Sequence, residues 1–397
     1  MAISLPQGFR FAGVHCGIKE DVTKEDLALI VAEQPAVAAG VYTQNLVYAA
    51  PVAVDRERTP SDMIRVVVVN SGNANACTGQ RGLKDARMMA ELAAGACGAT
   101  DNQALVMSTG VIGEYLPMEK IAAGVQSGAA GLAADERAFL AAARGILTTD
   151  KSHKVAGGSV NLDGEAIHLA GLAKGAGMIG PRMATMLAVV LTDAALTPAD
   201  AQTALTAAVD DSFNCISVEG HMSTNDTVLL LASGRSGPQP LKGTALAAFR
   251  DELRRVCTDL AVQIPDDGEG STHLIRIDVR GAQSRDDAFR IAKTVAESAL
   301  VKTAISGGDP NWGRIVSAAG YSGADIDPRQ LALTLNGTDL YRDGSPLDFE
   351  AALVSQSIRE NRETRILLTV GQGEGTIRFW TSDLTVDYVT FNADYHT

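Results

Sequence analysis

Cysteine is scarce in this chain, and its placement argues against two chemistries at once. Five cysteines in 397 residues, Cys16, Cys77, Cys97, Cys215 and Cys257, are odd in number and widely spaced. Without a C-x-x-C pair there is no zinc-knuckle or redox-dithiol signature, and reduced thiols in a cytosolic protein are expected. The six histidines form no helix-spaced pair, and His221 with His273 matches no ligand pattern, so no metal is expected. Positive charge is short as well. With 34 Lys and Arg against 47 Asp and Glu, net −13, the chain lacks the clustered cations that neutralise phosphates. Nucleic acid is therefore not an expected partner, whereas small metabolites are. Long apolar runs are missing too: Val66–Val69 and Val228–Ala232 fall far short of the roughly 18 residues of a membrane span. The start, MAISLPQGFRFAG, lacks a basic region followed by an apolar core and cleavage site. A soluble cytoplasmic protein with no membrane partner is the expectation.

What is present points to an α/β protein. A length of 397 residues with 46% hydrophobic content predicts two packed units. Short apolar runs alternate with longer amphipathic ones. Residues 65–69 read as a buried strand, and a helix is expected over 83–96. Thr197 and Pro198 open a second helix that should stop near Asn214. Ser284 caps a third, with Ala288, Ile291, Ala292, Val295 and Ala299 as its apolar stripe. LIRIDVR (274–280) alternates like a strand with one solvated face. RILLTV and TIRFW look alike, and the glycine-rich 371–376 between them reads as a hairpin connection. SGRSGPQP (233–240) places a division between two units near 233–242.

One stretch carries the chemical question. KGAGMIGPRMATMLAVVLTDA (174–194) sets three glycines and a proline ahead of Thr185, which stands at the mouth of the apolar run MLAVVL. Gly175, Gly177 and Gly180 permit backbone conformations closed to other residues, and Pro181 fixes one dihedral. A threonine hydroxyl is a poor nucleophile unless a base and an oxyanion site stand beside it. Breaking the Ala184–Thr185 bond supplies such a base, because the freed α-amine lies next to its own hydroxyl. On the residues alone, the plainer reading of Thr185 is the stronger one: a polar residue at a strand end.

The same stretch resembles the autoprocessing segment of the glutamate N-acetyltransferase / ornithine acetyltransferase family of arginine biosynthesis. VNSGNANACTG (69–79), STGVIGEYLPM (108–118), ILTTD (146–150), DGEG (267–270), GGDPNWGRI (307–315) and the terminal NADYHT resemble family motifs in the same order. The resemblance implies a layered αββα-type sandwich around the nucleophile strand, with a second, smaller α/β unit in the C-terminal half. It implies cleavage between Ala184 and Thr185 into an α chain, 1–184, and a β chain, 185–397. Thr185 is then nucleophile and base, moving acetyl from N-acetylornithine to glutamate by ping-pong transfer. Thr109 and Gly110 match the oxyanion pair, and Lys174, Glu269, Asn392 and Thr397 match substrate positions. In ILTTD the substrate contact is Thr148 or Thr149, with Thr148 ahead. No cofactor is implied, acetyl-CoA is a candidate donor, and the family suggests an α2β2 heterotetramer. SGNANACTG has neither P-loop nor dinucleotide spacing and reads as a structural loop beside the site. DPNWGR reads as a packed turn anchored by Trp312, with Asp309 and Arg314 paired.

The match has departures. Cys215, Ser217, Glu219, His221 and Met222 stand where family members usually have Arg, Thr, Asp, Asp and Thr. Lys151 replaces a threonine and His273 a lysine. These changes bear on pocket charge or partner contacts, or are neutral. Two other readings stay open: an autoprocessed amidase or aminopeptidase on a related fold, and a catalytically silent metabolite-binding homologue.

Overall fold

In the computed structural model the described residues are 3–162, 165–180 and 186–394. The cleavage pair Ala184 and Thr185, and the terminal Thr397, lie outside them. The N-terminal half runs β1 (Phe9–Val14), β2 (Leu27–Tyr42), α1 (Ala50–Arg58), β3 (Ser61–Asn73), α2 (Gly79–Ala96), β4 (Ala104–Val111), α3 (Met118–Ala130), α4 (Glu136–Gly145), β5 (Lys154–Leu162) and β6 (Glu165–Lys174). It continues with β7 (Leu187–Thr192), α5 (Pro198–Asp210), β8 (Ile216–Ser217), β9 (Thr227–Ala232) and α6 (Gly243–Asp266). The remainder is β10 (Leu274–Ala282), α7 (Arg285–Glu297), α8 (Ala299–Ser306), α9 (Trp312–Gly320), β11 (Ala332–Leu335), β12 (Thr338–Arg342), β13 (Ser345–Pro346), α10 (Ala351–Arg359), β14 (Glu363–Thr369), β15 (Gly375–Ser382) and α11 (Val386–Asp394).

The first sheet has the order β4-β3-β2-β9-β7-β6-β5, with β1 also on β2. Its long strand β2 makes the architecture. The first half pairs with β1 and β3, the second half with β9, and exposed Glu33, Gln34 and Pro35 lie between, where the register shifts. The sheet thereby folds over itself into two layers. Strand alternation shows the result, because neighbouring residues pack into different cores. Val66 and Val68 of β3 meet α2 through Met89 and Ala93, while Val67 and Val69 meet Leu187, Val189 and Leu229 across the interior. On the far layer, Ala188 and Val190 of β7 pack against α5 and α6 through Leu205, Val209 and Leu260. Helix, strand, strand and helix layers follow in order, which is the expected αββα sandwich. β7 is buried at every position, as its unbroken apolar run predicts. Each such valine or leucine contributes about 1.5–3 kcal/mol on burial.

The second sheet, β13-β12-β11-β14-β10-β15-β8, is the C-terminal α/β unit. Ile275, Ile277 and Val279 of β10 face a core shared with Ile291 and Val295 of α7, while Arg276 and Asp278 point the other way and pair at 2.8 Å. Residues 233–242 connect β9 to α6, and α6 lies against β5 and β6 of the first sheet as well as β15 of the second.

Local signals located the helices well. Thr197 accepts the Asp200 N–H at 3.1 Å and Ser284 accepts the Asp287 N–H at 3.1 Å, both as caps. Ser284→Ala is expected to cost about 1 kcal/mol and to lower the melting temperature by about 2 °C in thermal unfolding.

Four expectations are corrected. α5 ends at Asp210, short of Asn214, and a single 3-10 turn, Phe213–Cys215, follows it. Ala299 opens α8, because Ser298 has left the helical conformation and caps the next helix. β14 and β15 form no hairpin. β10 lies between them, parallel to β14 and antiparallel to β15, so residues 370–374 cross the end of β10, where Gly373 N–H donates to Gly281 O at 3.0 Å. Asp309 and Arg314 are not paired: Arg314 donates to Leu300 O at 2.9 Å, and Asp309 accepts from Asn311 at 3.0 Å. Trp312 does anchor that turn, stacked on Tyr341 at 5.3 Å.

Candidate active site

The ends of β3, β4 and β6 and the starts of β7 and β9 meet at one end of the sandwich. A cavity of about 200 Å³ opens there. Thr109 and Gly110 reach it from the C-terminal end of β4, and Lys174 is the final residue of β6. Thr148 and Thr149 line it from the loop after α4, Glu269 from the loop after α6, and Asn392 and Tyr388 from α11. The sequence-marked residues that fall among the described ones therefore converge on one cavity from positions as distant as 109 and 392.

Gly110 has φ +135°, and a Cβ there would stand 2.2 Å from the Gly72 carbonyl carbon. Only glycine fits so close to the neighbouring strand. The loop before β9 holds this strand end. Asn225 Nδ2 donates to Ser108 O at 2.8 Å and to Ala74 O at 2.7 Å. The asparagines of 69–79 do comparable work on backbone: Asn70 donates to Asn73 O at 2.8 Å and Asn75 to Gly82 O at 2.9 Å.

Lys174 is 2% exposed, and its Nζ donates to Thr109 Oγ1 at 3.3 Å. That bond uses an acceptor lone pair of the hydroxyl and leaves its proton available to donate elsewhere. Burial lowers the Lys174 pKa, against the opposing charges of Asp150, Glu269 and Asp226. Asp150 is the nearest support: burial works against its charge, but Lys174 and Lys154, with bonds from Lys154 and the Gly175 N–H, hold it down at about 2. Lys154 Nζ bridges Asp150 at 2.7 Å and Asp267 at 2.6 Å, with 1% of its side chain exposed. Glu269 accepts from Asn392 Nδ2 at 3.0 Å. Its carboxylate lies over Gly177, where a Cβ would come within 2.3 Å of Glu269 Oε2.

The glycines of the 174–180 stretch thus serve differently from expectation. Gly175 has φ +151°, but Gly177 and Gly180 have no positive φ. They are small because Glu269 and the Gly220 backbone approach them.

Two of the departures, Glu219 and His221, also line the cavity. Burial raises the Glu219 pKa to about 8, while the Ile179 N–H, bonded to Oε1 at 2.5 Å, and the Lys302 charge pull it down. An acid with a raised folded pKa binds its proton more tightly folded than unfolded. Its stabilising contribution is complete below the unfolded value and is lost as pH rises towards 8. Glu219→Gln is therefore expected to gain stability, on the order of 2 kcal/mol, at pH 8.5 but not at pH 4.5 in denaturant unfolding. Of the other departures, Cys215 and Ser217 are buried, and His273 is held by Asp383 at 3.1 Å and Thr272 at 2.9 Å. Among the described residues no His, Cys, Asp and Glu cluster suits a metal, and no helix is long and apolar enough to cross a membrane.

A sequence profile of the ArgJ family matches residues 10–397. The chain belongs to the ArgJ family. A relative from Rhodopirellula baltica is 48% identical over 99% of this chain and 96% of its own, and one from Geobacter sulfurreducens is 46% identical over 98% and 99%. Both are described as arginine biosynthesis bifunctional proteins. The crystal structure of the corresponding Bacillus halodurans protein is 38% identical and covers 51% of this chain and 96% of that one, with a TM-score of 0.50.

For this ArgJ family chain, sequence reasoning marked the cavity's lining and missed its support. Asp150 and Asp267 lie inside the very segments quoted for the resemblance, Lys154 lies four residues past one of them, and Asp226 lies four residues past Met222. Nothing in their local pattern separated a buried ion pair from a solvated charge. Asn225 and Tyr388 carried no signal beyond residue type.

Proposed function

We propose that this chain is an acetyltransferase of arginine biosynthesis that cuts itself before Thr185 and moves acetyl from N-acetylornithine to glutamate. The observation that carries the reading is the convergence of Thr109, Gly110, Thr148, Thr149, Lys174, Glu269 and Asn392 on one cavity in an ArgJ family chain. A cation and an anion in one pocket suit substrates that carry both charges. The solved Bacillus halodurans chain, matched over 96% of its length, spans 51% of this one, the size of one cleaved half.

The chemistry follows from the groups present. The freed Thr185 amine takes the proton from its own hydroxyl, and Oγ attacks the acetyl carbonyl of N-acetylornithine. Negative charge builds on the carbonyl oxygen, for which the Thr109 hydroxyl and the Gly110 N–H are the donors. The C–N bond breaks, ornithine's nitrogen takes the proton back from the Thr185 ammonium, and acetyl-Thr185 remains. The glutamate α-amine then attacks the ester and Thr185 Oγ recovers its proton. No cofactor takes part. Lys174 holds a substrate carboxylate, while Glu269, with Thr148 or Thr149 and Thr397, holds the ornithine end. Asn392→Ala frees the Glu269 carboxylate and is expected to raise KM for N-acetylornithine about fivefold, equivalent to about 1 kcal/mol, in steady-state assays.

Acetyl-CoA as a second donor, a cytoplasmic location, a division near 233–242 and an α2β2 assembly belong to the same proposal. Donor comparison and light scattering test the first and last of these. The deciding experiment is mass spectrometry of wild type and Thr185→Ala, with assays of acetyl transfer to glutamate. Wild type should yield chains 1–184 and 185–397, and the variant should be intact and inactive. A variant that is cut or that transfers acetyl overturns the mechanism. Acetate release outrunning transfer in the presence of glutamate overturns it in favour of a hydrolase.

A further inference from the structure

Asp226 stands immediately before β9, is fully buried, and has a carboxyl oxygen that nothing described uses. Oδ1 accepts the Met186 N–H at 2.9 Å, whereas Oδ2 is closed to solvent and has no partner among the described residues. A buried polar atom left alone costs about 1–3 kcal/mol. The amide that Asp226 holds is informative about what the second oxygen is for. The Met186 nitrogen is bonded to the Thr185 carbonyl carbon, and successive backbone nitrogens lie within about 4 Å of each other. Thr185, whose amine the cleavage would release, is thus the residue bonded to the nitrogen that Asp226 holds.

We propose that Asp226 is the positioning residue for the nucleophile's amine, with Oδ1 fixing the Met186 N–H and Oδ2 accepting the α-amine that cleavage frees at Thr185. The inference rests on the reading of Thr185 as a self-freed nucleophile. The surrounding charges agree with it. Burial pushes the Asp226 acid well above the ordinary carboxyl range, against the Met186 N–H and the Lys174 charge. Lys174 on β6 is the charged neighbour among the described residues, and it is itself claimed by Asp150, Glu269 and the Thr109 hydroxyl. The Thr43 hydroxyl, after β2, and the Ser223 backbone oppose that rise through neutral hydrogen bonds and bring no charge. An ammonium at Oδ2 would add a second cation to the one that Lys174 shares with Asp150 and Glu269. The pair then titrates as a unit, and the carboxylate makes the amine hold its proton more tightly.

The test uses the self-cleaved enzyme. Asp226→Asn keeps an oxygen for the Met186 N–H and removes the charge, so the amine should lose its proton at lower pH. The acid limb of the kcat/KM profile for N-acetylornithine should move down by about one pH unit or more, and kcat should fall ten- to a hundredfold with KM changed less than threefold. A limb that stays in place, whatever the rate, overturns the inference, because a merely structural role lowers activity without moving it. If Asp226→Asn remains uncut, the profile is read on Asp226→Glu, which keeps the charge at a different reach. A displaced limb there supports the inference, and an unmoved limb overturns it. Thr185→Ala separates the two levels: an active Thr185→Ala sinks the nucleophile reading, whereas an inactive one with an unmoved Asp226→Asn limb sinks only the role of Asp226.

Discussion

Lys154→Met is expected to lower stability by about 3–5 kcal/mol at pH 7, the usual consequence of removing one partner from a buried ion pair. The side chain is 1% exposed and its ammonium lies 2.7 Å from Asp150 and 2.6 Å from Asp267. Methionine fills much of the volume but leaves two carboxylates facing each other out of water. The sign of the pH dependence then reverses. In the wild type the depressed Asp150 pKa of about 2 gives a contribution present above the unfolded carboxyl value and lost as pH falls towards 2. In the variant, protonating Asp150 relieves the repulsion that Lys154 no longer offsets, so stability should rise as pH drops from 7 to 5. Denaturant midpoints at the two values check this, and an unchanged midpoint at pH 7 would refute the role assigned to Lys154. The same triad joins chain on either side of the proposed cut, since Asp150 and Lys154 precede Thr185 and Asp267 follows it. Loosened pairing of the cleaved chains in size-exclusion chromatography is the second expected outcome.

Gly110→Ala is expected to reduce kcat by about 10²–10³-fold while leaving the circular dichroism spectrum native. The added Cβ would meet the Gly72 carbonyl carbon at 2.2 Å and the Asn73 nitrogen at 2.4 Å, both backbone atoms that cannot swing aside. At φ +135° an alanine is also strained, by about 1–3 kcal/mol. The strand end must shift, and the Gly110 N–H shifts with it, away from the oxyanion position proposed for it. Steady-state kinetics on folded protein measure the loss, and near-wild-type kcat would remove Gly110 from the oxyanion site. Thr109→Ala gives the comparison. It deletes one donor without moving the strand, so the two losses together separate donor chemistry from strand placement.

Much of the fold is written in short-range pattern. The unbroken apolar run of β7, the caps at Thr197 and Ser284 and the alternation of β10 each appear in the structure where their residues place them, because periodicity and capping are decided within a few residues. The site's lining was legible for a different reason. Its motifs were individually ambiguous, and their joint order along the chain carried the resemblance.

Partnership was not legible. Periodicity says which face of a strand is buried but not which strand lies beside it, so β10 between β14 and β15 could not be read from their near-identical patterns. Nor could Lys154 be told from a surface lysine until the chain brought Asp267 across to it, or Asp226 from a strand-end acid until it closed on the Met186 amide. The class of fold and the capped helix starts are properties of local sequence and its chemistry. Which charges are paired, which glycines are crowded and which carboxyl oxygen is left over were decided only by tertiary packing, because each depends on the desolvation and distance of groups far apart in the chain.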